Sequence, residues 1–203
     1  KTGTLTAGKP EVVSSVTDKD WSERELLQIA GSVEAQSEHP LARAIVEAAK
    51  KEQIELREVT DFQSTTGGGV SARIDGGRVL AGKQKFLADS GVTLSDELKS
   101  QAGRWQEQAQ TTVWIALDGR AIGVLAIADP IKPTTRNAIR QLHDMGLKIM
   151  MCTGDNRRTA ESVARELGVD EVRAEVMPDE KIEIVKRLKS DGEIVAMAGD
   201  GIN

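Results

Sequence analysis

The last third of the chain alternates short apolar runs with segments in which apolar residues recur every three or four positions. Runs of the first kind have the length of strands, and segments of the second kind are typical of amphipathic helices. The predicted strands are 147–152, 172–174 and 194–198, and the predicted helices are 134–145, 158–167 and 179–189. Apolar strands that alternate with helices indicate a parallel sheet covered on both faces, so we expect an α/β domain here.

The middle of the chain predicts a different architecture. Ser22 and Glu25 fit a capping box for a helix that extends to about residue 34, and Pro40 suits the first turn of a helix ending near residue 51. Asp-Gly turns then separate pairs of apolar runs, which predicts two β-hairpins. The hairpins are 70–74 with 79–81 and 112–117 with 121–127. Helices followed by hairpins favour an α+β module with an antiparallel sheet.

Together the two patterns predict one domain inserted into another. We expect the antiparallel α+β domain at 9–126 and a parallel-sheet domain built from 1–8 and 127–203. Pro130 and Pro133 would stiffen the return crossing between them. Because ligands of an open parallel sheet bind beyond the carboxyl ends of its strands, we expect chemistry in the loops of the second domain.

Composition excludes several classes of protein. The formal net charge is −5 and aromatic residues are 2% of the chain, which argues against a basic or base-stacking surface for nucleic acid. No apolar run approaches the ~20 residues of a membrane span. Cys152 is the only cysteine, which excludes an internal disulfide framework and a cysteine zinc cluster. The chain starts at Lys1 instead of a methionine, and we expect it to be a piece of a longer protein.

A first polar cluster follows the predicted strand at 147–152. Thr153 offers a hydroxyl, Gly154 allows close approach of the backbone, and Asp155 leads into the N-terminus of the next predicted helix. Such a loop suits an anion. The alternative is an ordinary strand-to-helix turn in which Asp155 acts as a cap.

Two further clusters stand at comparable positions. Asp200 lies between glycines after the predicted strand at 194–198, which suits Mg²⁺, an ion that prefers one or two carboxylates together with phosphate oxygens. A plain Asp-Gly turn is the alternative there. Lys181, in the first turn of a predicted helix, is a candidate point charge for a phosphoryl group or else a solvated surface lysine.

The start of the chain shifts the balance between these alternatives. Residues 1–6 read Lys-Thr-Gly-Thr-Leu-Thr, which resembles the signature that follows the phosphorylated aspartate of P-type ATPases. The Thr-Gly-Asp motif ending at Asp155, the Pro-x-x-Lys motif ending at Lys181 and the Gly-Asp-Gly-Ile-Asn motif ending at Asn203 follow in the order and spacing of that family. Four weak motifs that agree in order form one coherent signal. The core accordingly resembles the haloacid-dehalogenase phosphotransferase fold.

The inserted domain resembles the nucleotide-binding domain of the heavy-metal, type IB branch of these pumps. The residues that carry this resemblance are Glu34, His39 within Ser-Glu-His-Pro-Leu at 37–41, the triple glycine at 67–69, and Gly82. Taken alone, a histidine before a helix is typically a cap, and a triple glycine is typically a flexible turn. Gly68 and Lys83 depart from the family pattern, because related pumps often carry a polar residue and an asparagine at these positions.

The resemblance implies a role for each motif residue. Lys181 and Thr153 would bind the phosphoryl oxygens beside the Gly154 backbone. Asp155 would contact the nucleotide or bridge the two domains. The Thr2 carbonyl and Asp200 would hold Mg²⁺, and Asn203 would support the metal and phosphate loop. The adenine end of ATP would be bound by Glu34, His39, Gly67, Gly69 and Gly82.

The return segment carries one further resemblance. Residues 129–132 read Asp-Pro-Ile-Lys, which is similar to the hinge segment that returns to the phosphorylation domain in these pumps. As a bare motif, it indicates only a rigid turn.

The resemblance also implies a whole-protein context. We expect the cytoplasmic ATP-binding part of a Cu(I)-exporting pump of the bacterial inner membrane, with its own transmembrane and actuator domains and the metal ion as partners. The nucleophilic aspartate expected just before Lys1 is absent, and so is an aspartate expected just after Asn203, so we expect these 203 residues to bind ATP without forming a phosphoenzyme. The alternatives are a zinc or cadmium exporter, a potassium pump, a soluble phosphatase of the same fold, and a non-catalytic nucleotide sensor.

Overall fold

The computed structural model describes residues 1–199, apart from the side chain of Pro178. The chain divides into two compact units. One unit comprises Pro10–Ala128, and the other joins Lys1–Lys9 to the part of the chain that begins at Asp129. We call them the inserted unit and the split unit.

The inserted unit is a six-stranded antiparallel sheet with helices on both faces. Its elements in chain order are β1 (Glu11–Thr17), α1 (Glu23–Glu34), α2 (Pro40–Lys51), β2 (Thr60–Thr65), β3 (Gly69–Ile74), β4 (Gly77–Gly82), α3 (Gln84–Asp89), α4 (Asp96–Glu107), β5 (Thr111–Leu117) and β6 (Arg120–Ala128). The strand order across the sheet is β1-β6-β5-β4-β3-β2. Both predicted hairpins are confirmed, since β3 pairs with β4 and β5 pairs with β6 in antiparallel register.

The beginning of α1 shows why the sequence predicted it. The Ser22 side chain accepts the backbone N–H of Glu25 at 3.2 Å, and the Glu25 carboxylate accepts the backbone N–H of Ser22 at 2.9 Å. These two bonds satisfy two backbone donors that a helix start leaves without an intrahelical partner. The predicted helix from Ser22 to about residue 34 is therefore confirmed, as is the helix that begins at Pro40.

The antiparallel sheet separates two hydrophobic clusters. On one face Val33 of α1 packs with Val70 and Ala81, and on the other face Leu80 and Trp114 pack with residues of α3 and α4. Ala81 and Leu80 are neighbours in the same strand and point to opposite faces, as the pleat requires. We call these the α1–α2 face and the α3–α4 face.

The split unit has an α/β arrangement. Its elements are α5 (Thr135–Asp144), β7 (Met150–Cys152), α6 (Arg157–Leu167), β8 (Glu171–Arg173) and α7 (Pro178–Ser190). Strands β7 and β8 are parallel, with Met151 paired to Val172. The first residues of the chain join this unit through an antiparallel bridge between Thr6 and Ile131.

The prediction of a strand at 194–198 is wrong for this structure. Residues 193–199 have no regular secondary structure, and the side chain of Ile194 is fully exposed. A parallel strand depends on backbone hydrogen bonds to a neighbour, and within residues 1–199 the parallel sheet consists of β7 and β8 alone. Residues 193–199 pair with neither β7 nor β8 in this structure, although their apolar composition suits a strand.

Long apolar helices are absent from residues 1–199. None of the helices described there is both long enough and apolar enough to cross a membrane.

Candidate functional site

The Thr153–Asp155 loop follows β7 and forms a small closed network in the split unit. The Thr153 hydroxyl donates to the Asp155 carboxylate at 2.5 Å and accepts the backbone N–H of Asp155 at 3.2 Å. The Val176 N–H donates to the Thr153 carbonyl at 3.0 Å, which fixes the loop to the segment before α7. Thr153 is buried, and Gly154 has no side chain to shield the loop. The network therefore holds a hydroxyl and a carboxylate in one fixed arrangement.

Lys1 brings the first segment of the chain to the same carboxylate. Its ammonium group lies 3.3 Å from the Asp155 oxygen that accepts the Thr153 hydroxyl, and its side chain is 5% exposed. A nearly buried lysine beside a carboxylate forms a stronger pair than a surface pair, because solvent screens it less. The pair thus unites two of the predicted motifs, residues 1–6 and the Thr-Gly-Asp loop.

Asp129 and Lys132 also bind the first segment of the chain. The Asp129 carboxylate accepts the Thr6 hydroxyl and the Gly8 N–H, and the Lys132 ammonium group donates to the Gly3 carbonyl. The motif at 129–132 predicted a hinge, and no contact was expected for either side chain. The signal that could have found these contacts is the presence of a charged residue at each end of a proline-containing return segment.

Lys181 lies in the first turn of α7, where its backbone N–H donates to the Met177 carbonyl at 3.3 Å. Burial raises the pKa of the Cys152 thiol, and the positive charge of Lys181 acts in the opposite direction on that thiol. Lys181 is therefore close enough to the end of β7 to influence it electrostatically. This position is compatible with the phosphoryl-binding role that the resemblance implies.

The predicted magnesium residues are only partly described. Thr2 is exposed, whereas Asp200 and Asn203 lie outside the described residues. Within residues 1–199, no group of three or more His, Cys, Asp or Glu side chains is arranged to hold a metal ion. A site of that closed kind is not what Mg²⁺ in a phosphoryl-transfer centre requires, because phosphate oxygens and water supply most of its ligands.

Glu34 ends α1 in the inserted unit and is 8% exposed. Burial raises the pKa of its carboxyl group to about 7, and the hydrogen bond with the Ser37 side chain acts in the opposite direction. A carboxyl group that titrates near neutral pH in a largely apolar setting is typical of functional sites, and structural networks also produce such shifts. The adenine-binding role of Glu34 stays a prediction, and the raised pKa is a property of the buried carboxyl group itself.

His39 is the N-cap of α2. Its ring Nδ1 accepts the backbone N–H of Leu41 at 3.2 Å, and the backbone N–H of His39 donates to the Ser37 hydroxyl at 3.3 Å. The side chain is otherwise exposed, so Nε2 is open to a ligand. His39 therefore fulfils the capping role expected of a histidine at a helix start, and this role leaves its second ring nitrogen available.

Two of the three predicted glycines, Gly69 and Gly82, lie side by side where β3 and β4 pair, and Gly67 lies in the turn before β3. Gly69 in β3 pairs directly with Gly82 in β4. A Cβ atom on Gly69 would lie 2.2 Å from the Ala81 carbonyl oxygen, and one on Gly82 would lie 2.6 Å from the Gly68 carbonyl oxygen. Gly67 has a φ of +72° at the tip of the preceding turn, with nothing within 4 Å of a Cβ there. Glycine is thus required by close contact at two positions and by backbone conformation at the third.

The structure brings part of this nucleotide set together. Val33, adjacent to Glu34, shares one hydrophobic cluster with Val70 and Ala81, which adjoin Gly69 and Gly82. Packing on the α1–α2 face therefore connects the end of α1 to the strands that carry Gly69 and Gly82. His39 is linked to Glu34 through Ser37, which contacts both residues.

Comparison with known proteins places the chain in a family. The family model for haloacid dehalogenase-like hydrolases matches residues 1–203. Over 203 residues the chain is 47% identical to Copper-transporting ATPase 1 of Rhizobium meliloti (strain 1021) and 41% identical to the Silver exporting P-type ATPase of Salmonella typhimurium. Each match includes all of this chain and 24% of the relative, so the chain spans about a quarter of the length of these curated relatives.

A solved structure of a related protein has a similar fold. The crystal structure of a zinc-transporting PIB-type ATPase in the E2.Pi state matches 94% of this chain and 30% of its own chain, with a TM-score of 0.85 and 32% sequence identity. The predicted resemblance to heavy-metal P-type ATPases and the predicted fold class are confirmed. The chain belongs to the haloacid dehalogenase-like hydrolase family, and the relatives it matches within that family are P-type ATPases for copper, silver or zinc.

Proposed function

We propose that the chain is the ATP-binding cytoplasmic part of a heavy-metal-exporting P-type ATPase of the bacterial inner membrane. The observation that carries the proposal is the ion pair between Lys1 and Asp155, at 3.3 Å. It joins the segment that resembles the phosphorylation signature to the Thr-Gly-Asp loop, two motifs that lie 154 positions apart in the sequence (155 − 1). A chance resemblance of short motifs has no reason to bring these motifs into contact.

The proposed reaction uses an aspartate that the family motif has directly before Lys1. Its carboxylate attacks the γ-phosphorus of ATP, the bond to the bridging oxygen breaks, and ADP leaves with the electron pair. Water then hydrolyses the aspartyl phosphate to release inorganic phosphate. Thr153 and Lys181 bind the phosphoryl oxygens, because phosphoryl transfer depends on positioning and on charge stabilisation.

ATP and Mg²⁺ are the proposed substrate and cofactor. Mg²⁺ would be held by the Thr2 carbonyl and Asp200 together with phosphate oxygens, a donor set of oxygen atoms alone that suits this hard cation. When bound, it neutralises negative charge on the phosphates. Asn203 would support the metal and phosphate loop, and Gly154 would admit the phosphate to the backbone.

The adenine end of ATP is assigned to the inserted unit. Glu34 and the free Nε2 of His39 supply polar groups, and Gly67, Gly69 and Gly82 leave backbone uncovered where side chains would obstruct a base. With only two Phe, three Trp and no Tyr in the chain, such a polar and backbone-rich surface replaces an aromatic platform.

Copper(I) is the proposed exported ion. The support is the identity of the relatives, among which Copper-transporting ATPase 1 of Rhizobium meliloti is 47% identical over this whole chain. The remaining partners are the transmembrane and actuator domains of the same pump. The ion itself is cargo, and soft ligands outside this chain would select it.

Isothermal titration calorimetry tests the nucleotide assignment on these 203 residues. ATP is expected to bind at one site in the presence of Mg²⁺, and Glu34→Gln is expected to weaken it by about ten-fold, which corresponds to about 1.4 kcal/mol. Glu58→Gln, an exposed glutamate of the same unit, is the matched control. In a chain extended by the aspartate that the family motif has directly before Lys1, hydrolysis of simple phosphate esters without any ATP binding would instead favour a soluble phosphatase.

A further inference from the structure

Phe86 lies directly against the Gly67–Gly69 segment, which we call the glycine loop. A Cβ atom built on Gly68 would be 3.0 Å from the Phe86 Cδ2, and one on Gly69 would be 2.8 Å from the Phe86 Cδ1. Carbon atoms in van der Waals contact are normally ~3.5–4.0 Å apart. At Gly68 the ring is therefore the nearest obstacle to a side chain, whereas at Gly69 the Ala81 carbonyl oxygen, at 2.2 Å, is nearer than the ring.

The ring approaches the loop from the α3–α4 face. Phe86 packs against the cluster that contains Leu80 and Trp114, whereas Val70 and Ala81 belong to the opposite cluster. Because strand residues alternate between faces, Gly69 and Gly82 have the orientation of Leu80 and face Phe86. Glu34 is at the end of α1, on the other side of the sheet.

Short hydrogen-bonded connections hold Phe86 in position. The Lys83 N–H donates to the Gly68 carbonyl at 3.0 Å, which ties the start of α3 to the loop. The Ser90 hydroxyl donates to the Phe86 carbonyl at 2.8 Å, and Leu87, the next residue, is completely buried. Lys83 therefore holds the loop through its backbone, and Phe86 contacts it through its side chain.

The backbone of the loop also forms a tight turn. The Gly68 N–H donates to the Thr65 carbonyl at 3.0 Å, which closes a turn with positive φ at its third residue, Gly67. That combination is typical of a type II turn. The tip at Gly67 meets no other atoms within 4 Å of a built Cβ. The turn fixes the shape of the loop, and the Phe86 ring packs against Gly68 and Gly69.

We propose that Phe86 is the positioning residue of the nucleotide site, holding the Gly67–Gly69 backbone from the α3–α4 face so that it can meet a purine nucleotide on the opposite side. The inference rests on the proposed function, because it presumes that this loop contacts ATP. It also gives a physical reason for Gly68, because a side chain at this position would have to displace the Phe86 ring.

A double-mutant cycle between Gly68→Ala and Phe86→Ala tests the proposal, with ATP affinity measured by calorimetry. Each single substitution is expected to weaken ATP binding by about five-fold, or ~1 kcal/mol. In the Phe86→Ala background, the Cβ atom that Gly68→Ala adds no longer meets a ring, so this second substitution should have no further effect. Additive losses would overturn the proposal.

Phe62 supplies a matched control, since it is the only other phenylalanine and packs on the α1–α2 face. Phe62→Leu and Phe86→Leu are expected to lower the free energy of unfolding to a similar extent, while only Phe86→Leu weakens ATP binding. The leucine variants also keep the test open if Phe86→Ala fails to fold. Equal ATP affinity in both leucine variants would refute the role of Phe86, whereas a wild-type chain that binds no ATP would refute the proposed function instead.

Discussion

The Thr6 hydroxyl donates a hydrogen bond of 2.5 Å to the Asp129 carboxylate, and the two residues are 123 positions apart in the chain. The other carboxylate oxygen of Asp129 accepts the Gly8 N–H at 2.8 Å. Thr6 is completely buried, and Asp129 is the nearer of two acceptors for its hydroxyl, the Lys1 carbonyl lying at 3.4 Å. One aspartate thus ties the segment that leaves the split unit to the segment that returns to it.

Asp129→Ala is expected to destabilise the split unit by about 1–3 kcal/mol, because it leaves the buried Thr6 hydroxyl without its carboxylate partner. All three tryptophans lie in the inserted unit, so their fluorescence does not report on this change. Hydrogen–deuterium exchange of residues 1–9 and 129–176 measures it directly. Exchange in the inserted unit should stay unchanged.

Asp144→Ala is the control for this prediction, since Asp144 is exposed at the end of α5 in the same unit. Thr6→Val removes the same bond from the other side. If the two residues act through that bond, the loss in the Thr6→Val, Asp129→Ala double variant will be smaller than the sum of the single losses. Additive losses would show that the bond contributes nothing.

Elements with a local cause could be predicted from the sequence. The Ser22 and Glu25 capping box lies within four residues, and the Asp75-Gly76-Gly77 turn joins strands that are adjacent in the chain. In each case the stabilising contacts involve neighbours in sequence, so the pattern contains the information. The motifs at Thr153 and Lys1 were likewise visible as short strings, although their contact was not.

Features with a distant cause could not be predicted. A strand at 194–198 needs a neighbouring strand, and its apolar composition does not reveal whether one is available. The Phe86 ring lies against Gly68, 18 residues earlier in the chain (86 − 68), and the helical sequence around Phe86 does not indicate this contact.

The carboxyl group of Glu34 makes stability depend on pH. Burial raises its pKa from the ordinary value of 4.5 to about 7. Between these pH values the folded state binds a proton that the unfolded state has lost, so the free energy of unfolding falls as pH rises from about 4.5 to about 7. The total contribution is on the order of 3 kcal/mol.

Glu34→Gln is therefore expected to flatten the pH profile and to be more stable than wild type above pH 7. Urea denaturation followed by tryptophan fluorescence at several pH values measures this, because Trp21, Trp105 and Trp114 all lie in the same unit. Glu58→Gln should leave the profile as it is. A profile for Glu34→Gln that parallels wild type would contradict the buried, proton-binding state.

Substitutions of His39 separate its structural role from its proposed binding role. His39→Ala removes the acceptor for the Leu41 N–H and should cost about 1 kcal/mol of stability. It should also weaken ATP binding several-fold while the fold stays intact. His39→Asn restores an N-cap acceptor, so its stability should return to the wild-type value while ATP binding stays weak. Recovery of both properties in His39→Asn would show that His39 only caps the helix.

The Thr153 hydroxyl can be tested apart from any phosphate. Thr153→Val removes both hydrogen bonds to Asp155, while the Lys1 ammonium group still contacts that carboxylate. Because Thr153 is buried, we expect a loss of about 1–2 kcal/mol and faster hydrogen exchange at residues 150–176. Thr153→Ser keeps the hydroxyl and should exchange as wild type does. If the valine and serine variants exchange at the same rate, the hydroxyl does not stabilise the loop, and its position there has to be attributed to ligand binding.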